Sequence, residues 1–552
     1  MYPAQTSLIP VQIALAKFWE VQGFSALFVD YPYWYLGTTP FHYLSGILPL
    51  FLAVLHHFLP GFSLFEIMFG VVGASWILGG LGVYLLVQAL INAASNAAGT
   101  FDHAAEQNAA SNAAGTFDRA AERRRIPALA AFFYLLGPIV PFLFRFSDGL
   151  YLIAFSFLPF VLLVYHRWLK SEDRRQGTED IIQKTDDRGW KVRKIEILLC
   201  LLIAFVILLD TQIIPTLILG MATLILAEGG WKRVETKVKS SLVLLFFSFL
   251  ISTLWYAPGY WWTLLGSPSF GGQALLAIIA WIGKILPIAL AFTLVIVSAR
   301  FFKKKNALGS FCFYWLFIFG FLTLVRFLSD PDFWLDWSSY GVELQMGIAI
   351  ALGGWLGGKP EDRRQRTEDG LQKTEDGRQI IENQFSVFSL QNLFSVFRLP
   401  SSILLALYLI LFIFVLNRYV LGTFQKDITQ TVEYRLGNQL AKIAKPQERV
   451  FLSGTTTFWL NAFFDIPQVR GGTDQASIDP DWRKAVWEVR EGATTESTER
   501  WLKALKITYL VVHTKESDEF YHDFDDPEKF EQISGLKKIY EEKGDRIYRL
   551  EK

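Results

Sequence analysis

The chain has 552 residues, 52% of them hydrophobic, with a mean hydropathy of +0.29 and a formal net charge of +1. This marks a polytopic membrane protein with a soluble part attached, and it provides no global basic field for nucleic acid. Cys200 and Cys312 both lie in apolar runs, which leaves no disulfide framework and no cysteine-based zinc site.

Residues 1–20 lack a basic start followed by an apolar core, so no cleavable signal peptide is expected. Residues 41–60 are long enough to span, but they carry Pro49, Pro60, His42, His56 and His57. A juxtamembrane helix along the outer face, with its histidines hydrated, is the expected form. About ten crossings follow, near 64–91, 126–146, 149–169, 195–210, 211–228, 239–257, 272–298, 309–328, 340–357 and 400–422. Trp and Tyr gather near their ends, as at a membrane interface.

Alternate loops are basic. Arg123, Arg124 and Arg125 close the first, and Arg167, Lys170, Arg174, Arg175, Lys191, Arg193 and Lys194 lie in the next. The later ones hold Lys232, Arg233, Lys237 and Lys239, then Arg300, Lys303, Lys304 and Lys305, then Lys359, Arg363, Arg364 and Arg366. The positive-inside rule places all five in the cytoplasm. The loops at Ser147–Gly149, Asp210–Thr211, Pro258–Gly271 and Ser329–Ser339 are then extracytoplasmic, together with residues 1–63 and the chain after Leu421.

Three cytoplasmic loops carry insertions, at 92–125, 170–194 and 358–399. NAASNAAGTFDHAAE recurs as NAASNAAGTFDRAAE, and EDRRQGTEDIIQK resembles EDRRQRTEDGLQK. The copies are too few or too far apart to stack a shared core. Their polar, mixed-charge composition favours disorder, and no chemistry is placed there.

Residues 425–552 read as a small extracytoplasmic α/β domain. A helix is expected over Asp427–Ala444, a strand over Arg449–Ser453, and a helix over Thr498–Leu505 capped by Thr495 or Ser497. A buried strand follows at Ile507–His513, then a hairpin of Lys537–Tyr540 and Arg546–Leu550 around Lys543–Gly544–Asp545. Trp459, Trp482, Trp487 and Trp501 are expected to be mostly core. No nucleophile motif, phosphate loop or metal-ligand spacing appears. The expected fold class is therefore mainly α: a transmembrane bundle over 64–422, a first-loop segment over 1–63, and the α/β domain.

The outer loops collect Asp30, Asp148, Asp210, Asp330, Asp332 and Asp336, with His42, Trp334 and, just inside a span, Glu343. Arg145 lies a turn before Asp148 and can pair with it, and Arg326 stands similarly to Asp330. Carboxylates at a membrane edge are costly unless they line a cavity or find a partner. Transfer from a lipid-linked phosphate donor suits such a set. A carboxylate activates the acceptor, a cation or a divalent metal holds the phosphate, and helices groove the lipid tail. His42, Arg145, Arg326, Asp332 and Trp334 are the candidates for holding phosphate and substrate. Taken singly, each acid also reads as an ordinary solvated loop residue.

The chain resembles the GT-C superfamily of polytopic glycosyltransferases, which includes protein O-mannosyltransferases, lipid A aminoarabinose transferases and bacterial "6-pyruvoyl-tetrahydropterin synthase-related" membrane proteins. DYPYWYLGTTPFHY resembles the family's first outer loop, and Phe65–Ala89 resembles its next span. RFSDGLYLIAFSFLPFVLL resembles an outer turn with the span after it, TLWYAPGYW a recurring span end, and the tail the family's outer domain. The resemblance implies a polyprenyl-phosphate sugar donor, hexosyl or pentosyl transfer to an extracytoplasmic glycan, lipid or protein, and a cell-membrane location. By position it implies Asp30 as base and Asp148 as a second acid. YPAQTSLIPVQIALAKFWE resembles the amphipathic helix that follows a first span in the family. A missing first span, and an inactive truncated chain, are therefore also expected readings. A transporter lacks support because no Gly/Pro-broken helices stand in matching halves. A non-catalytic scaffold of the same fold is the other alternative.

Overall fold

The computed structural model describes residues 2–3, 5–39, 46–99, 113–140, 149–178, 186–228, 234–265, 279, 307–329, 340–357, 401–418, 427–472, 477, 479 and 481–551. For 93–99, 113–123, 173–178, 186–193, 263–265, 325–329, 401–402 and 404–405 the backbone alone is described.

The chain is mainly helical, with a small sheet near its end. Helix α1 (Ile9–Gln22) and α2 (Leu48–Phe58) precede the bundle. The bundle helices are α3 (Leu64–Gly99), α4 (Ala113–Leu135), α5 (Leu150–Thr178), α6 (Asp186–Leu209), α7 (Ile213–Glu228) and α8 (Val234–Ser252), followed by a short α9 (Pro258–Leu265). Then come α10 (Ala307–Ser329), α11 (Gly341–Gly357) and α12 (Ser401–Leu416). Stretches Leu64–Asn92, Leu150–Glu172 and Ala307–Leu324 are long and apolar enough to cross a membrane. The expected crossing at 272–298 lies outside the described residues, apart from Ile279.

The bundle wears its apolar side chains outside. Leu242, Val243, Phe246, Phe247 and Leu250 are exposed on α8, and Leu407, Ile410, Leu411, Ile413 and Phe414 on α12. A soluble monomer rarely shows contiguous patches of this kind, whereas a bilayer covers them without cost. A polar contact ties α12 to the bundle: Tyr408 Oη donates to the Phe133 carbonyl at 2.6 Å.

Several expected boundaries shift for local reasons. The expected crossing at 126–146 holds a helix that stops at Leu135, just before Gly137 and Pro138, because the residue before proline is pushed out of the helical region. The crossing expected at 239–257 ends at Ser252, and Pro258 opens α9 as a first-turn proline. The insertion 92–125, expected as a disordered loop, is helical at both described flanks, since α3 runs to Gly99 and α4 starts at Ala113. Alanine-rich repeat sequence propagates a helix already nucleated by the span. The insertion 170–194 is likewise helical where described, in α5 to Thr178 and α6 from Asp186. The insertion 358–399 lies outside the described residues.

Helix α2 has 11 residues, about 16 Å of rise, against a hydrocarbon core of about 30 Å. It is too short to cross. It packs on α1 and on the start of α3, and the Ile47 amide donates to the Leu208 carbonyl at the α6–α7 turn.

The tail holds α13 (Val432–Ile443), β1 (Arg449–Phe451), α14 (Thr456–Phe463), α15 (Trp482–Glu491), α16 (Thr495–Ala504), β2 (Ile507–His513), β3 (Leu536–Glu542) and β4 (Asp545–Leu550). The sheet order is β1-β2-β4-β3, with β1 parallel to β2 and the other pairs antiparallel. Lys543 (φ 48°) and Gly544 (φ 78°) make the two-residue turn of the β3–β4 hairpin. The N-cap of α16 is Thr494, one residue before the expected cap, and its side chain makes no capping bond. Trp459 and Trp482 are buried core, whereas Trp487 is half exposed.

Candidate functional site

The expected extracytoplasmic pieces that are described all meet at one end of the bundle. Phe65, at the start of α3, stacks on Trp459 and Phe463 of the tail at 5.9 and 5.8 Å. Trp19 of α1 stacks on Trp255 at 5.8 Å. Thr211 and Tyr260 bring their hydroxyls to 3.4 Å, and Tyr256 Oη donates to the Leu208 carbonyl at 3.3 Å.

The aromatic first loop turns inward. An isolated bridge pairs Tyr31 with Thr38, and Tyr31, Trp34 and Tyr35 are buried between α1 and the tail. Trp34 Nε1 donates to Asn461 Oδ1 at 3.2 Å, and the Gln468 amide donates to the Tyr33 carbonyl at 2.9 Å. Tyr35 packs edge-on to Trp482 at 5.1 Å. These rings therefore fasten the first loop to the tail, leaving Asp30, just before them, exposed. Phe28 and Val29 before it are exposed as well, and burial begins at Tyr31.

Beneath this end lies a buried polar cluster. Glu343, in the first turn of α11, is fully buried. Its Oε1 accepts from Tyr151 Oη, in the first turn of α5, and from Thr216 Oγ1 of α7 at 2.7 Å. The two hydroxyls are also 3.0 Å apart. Trp315 Nε1 of α10 donates to the Glu343 carbonyl at 2.7 Å. Glu343 Oε2 is buried with no hydrogen-bond partner among the described residues. On the same helix, Gln345 accepts from the Ile139 amide at 2.8 Å and donates to the Tyr134 carbonyl at 3.2 Å. Gly137 admits that amide, since a Cβ there would stand 1.6 Å from Gln345 Nε2. Asp210 is buried and accepts from the Gln212 amide at 2.8 Å, which shapes the α6–α7 turn.

Of the expected site residues, His42, Arg145, Asp148, Asp332 and Trp334 lie outside the described residues. So do the acids Asp330 and Asp336. Arg326 lies on α10, where the backbone alone is described. Tyr151 and Thr216 had no sequence signal of their own. They become visible only as partners of Glu343. Among the described residues no three His, Cys, Asp or Glu side chains group to hold a metal ion, so the described carboxylates do not fit a complete divalent site.

The tail has a second buried polar cluster. Thr455 Oγ1 lies 2.6 Å from Glu433 Oε1 and 3.0 Å from Glu519 Oε1. Glu519 also accepts the amides of Thr455, Tyr521 and His522 at 2.7, 2.8 and 2.7 Å. One hydroxyl proton is shared between the two carboxylates, which leaves the buried Glu433 poorly compensated as an anion. Burial pushes the Glu433 carboxyl up, against the opposing Thr455 bond, and nearby Glu519 adds to the rise. Asp523 goes the other way. Its burial opposes charge, but Ser453, Arg490, Arg470 and the Gly454 amide outweigh it and hold the carboxyl below its usual range.

The fold and cluster define a helical membrane bundle with an α/β unit clamped over one end. No family model and no curated protein matches the chain. Among solved structures the chain is similar to oligosaccharyltransferase and ArnT chains. One is the Archaeoglobus fulgidus oligosaccharyltransferase AglB in complex with an inhibitory peptide and a dolichol-phosphate, at TM-score 0.44 and 13% identity over 91% of this chain and 64% of that one. The apo form of that enzyme gives TM-score 0.47 at 13% identity over 100% of this chain and 71% of that one. ArnT from Cupriavidus metallidurans in the apo state gives 0.43 at 13% over 99% and 93%. The chain thus spans less than two thirds of the length of the first of these. At TM-scores below 0.5, none of these likenesses carries a residue role over to this chain.

Proposed function

We propose that the chain is a membrane glycosyltransferase that moves a sugar from a polyprenyl-phosphate donor to an extracytoplasmic acceptor. One observation carries the proposal. The described outer pieces converge on one end of the bundle, over the buried Glu343–Tyr151–Thr216 cluster. An interfacial site there gives the donor's tail the helices and its head the loops. The proposal includes about ten crossings over 64–422, a first-loop segment over 1–63 and an extracytoplasmic domain over 425–552, in the cell membrane.

In this reading a carboxylate, Asp30 or Asp148, takes the proton of the acceptor hydroxyl. The acceptor oxygen bonds to the anomeric carbon as the bond from that carbon to the phosphate oxygen breaks, and polyprenyl phosphate leaves with the electron pair. Arg145, Arg326 and His42 supply positive charge or donors to the phosphate, with Asp332 and Trp334 at its edge. The exposed place of Asp30 favours Asp148 as the base if only one of them acts. A scaffold without catalysis remains the alternative that the same exposure favours.

The test is transfer from a labelled polyprenyl-phosphate sugar by membranes carrying the full chain. Asp30→Asn or Asp148→Asn is expected to lower turnover at least about a hundredfold, the usual share of a general base. Wild-type turnover in both variants refutes the site, and no transfer with any donor favours the scaffold.

A further inference from the structure

Helix α1 stops at Gly23 (φ 56°), and Gly23–Leu27 follows as a short 3-10 turn. Ala26 of this turn is buried in the core shared by α1, the first loop and the tail. Phe24 and Phe28, two residues to either side of it, are 75% and 83% exposed. The backbone here is satisfied from within. The Phe28 and Val29 amides donate to the Ser25 carbonyl at 2.8 and 3.1 Å, and Ser25 Oγ donates to the Gln22 carbonyl at 2.5 Å. A segment that enters lipid needs such bonds, because no water is there to take an unpaired amide.

Helix α2 is apolar on two faces. Leu48, Leu52 and Ala53 are buried, whereas Phe51, Val54 and Phe58 are exposed at i, i+3 and i+7, one stripe of the helix. Glu20 Oε1 and His56 Nδ1 pair at 2.5 Å, which sets the C-terminal ends of α1 and α2 side by side. Phe24, four residues past Glu20, and Phe58, two past His56, therefore share that end. Two bundle helices fix its depth. Phe62, also exposed, precedes Leu64, the first residue of a stretch long enough to cross a membrane. Trp19 stacks on Trp255, whose neighbour Leu254 is 89% exposed just past the end of α8. The exposed rings thus continue the lipid-facing surface of the bundle, and a bilayer that covers α8 reaches them too.

We propose that Phe24, Phe28 and the Phe51–Phe58 stripe of α2 insert into the leaflet on the tail's side, about 5–10 Å deep, and hold Asp30 in the head-group layer. Asp30 bounds the depth. Its Cα lies at most about 7 Å from that of Phe28, and its exposed carboxylate must stay hydrated. The proposal is independent of the transfer reaction and rests on the bundle being embedded in a bilayer. The test replaces Phe24, Phe28, Asp30, Phe58, Phe246 or Lys515, one at a time, by the photoreactive benzoyl-phenylalanine. All six side chains are exposed, so the core stays as it is. The full chain is illuminated in phosphatidylcholine vesicles, and lipid adducts are read by mass spectrometry. Acyl-chain adducts are expected at 24, 28 and 58, as at Phe246 on the outside of α8. At 30 the adduct is expected on the glycerol or head group, and at Lys515 of the tail none is expected. Adducts at 246 without adducts at 24 and 28 overturn the proposal alone, and no adduct at 246 either overturns the bilayer reading beneath it. A cross-linked dimer from 24 or 28 in place of a lipid adduct shows a second copy on this face and also overturns it. Acyl-chain adducts at 30 or 515 as strong as at 28 refute the depth.

Discussion

Replacing Glu433 by Gln isolates one proton in the tail. Glu433 is 3% exposed, and its carboxyl reaches Thr455 Oγ1, which also donates to Glu519. Burial raises the folded carboxyl above its unfolded range of about 4.3. Between those two values the native tail binds one more proton than the unfolded chain. The stability from this group is therefore complete below the unfolded value and is lost as pH rises through the folded one. One proton limits the slope to about 1.4 kcal/mol per pH unit. Gln keeps the shape and the donor to Thr455 but cannot ionise, so Glu433→Gln is expected to match the wild type at low pH and exceed it at neutral pH. Hydrogen exchange of the β1 and β2 amides, followed by mass spectrometry on the full chain in detergent across about pH 5 to 8, reads the effect on the tail alone. Equal slopes for the two proteins would falsify the placement of the proton on Glu433.

Asp523 has the opposite sign. Its lowered carboxyl contributes stability above the unfolded value that is lost as pH falls through the folded one, so Asp523→Asn is expected to flatten the acid limb of the same exchange profile. Trp34→Phe should cost about 1 kcal/mol of thermal stability, because Asn461 Oδ1 still receives Gln468 Nε2 at 2.7 Å. Trp34→Ala should cost about 3–5 kcal/mol and expose the tail to limited proteolysis. A change below about 1 kcal/mol in the alanine variant contradicts the clamp. Tyr151→Phe and Glu343→Gln should couple by about 0.5–3 kcal/mol in a double-mutant thermal cycle, and strictly additive effects would remove the cluster from the account. Cysteines introduced at Lys515 and within 92–125 should label from opposite sides of intact membranes. Labelling from one side disproves the orientation.

Much of the fold is legible because its signals are local. Apolar runs mark the three described stretches long enough to cross a membrane, and the β2 run ITYLVVH, the Lys543–Gly544 turn and the short α2 each carry their own pattern. The helix ends were less legible. Gly137–Pro138 and Pro258 break runs that average hydropathy reads as continuous, and repeat alanines extend α3 where polarity suggests a loop. Helices α14 and α15 escape a pattern reading because each is short and bounded by turn-rich stretches, and their burial comes from the first loop and the sheet.

The site was legible only as a set of outer acids. Glu343 stood in that set because a carboxylate inside a span is costly whatever surrounds it. Its partners come from α5 and α7, more than a hundred residues away in sequence, and no spacing rule connects them. Glu343 and Gln345 are two residues apart on α11, roughly 200° around the helix. One side chain therefore ties α5 and α7, while the other ties the Tyr134–Ile139 end of α4. Val140 and Tyr340 stand beside these ties, next to Ile139 and the start of α11. Thr323 Oγ1 adds a further tie, donating to the Tyr340 carbonyl at 3.2 Å. If the outer acids act together, loosening Gln345 should disturb Asp148 and Asp332 together. Gln345→Leu keeps the volume but strands the Ile139 amide, which should cost about 1–3 kcal/mol. In the transfer assay it should lower turnover in the wild type and add little to Asp148→Asn. A full additional loss in the double variant would mean that Gln345 acts on the bundle and not on the site.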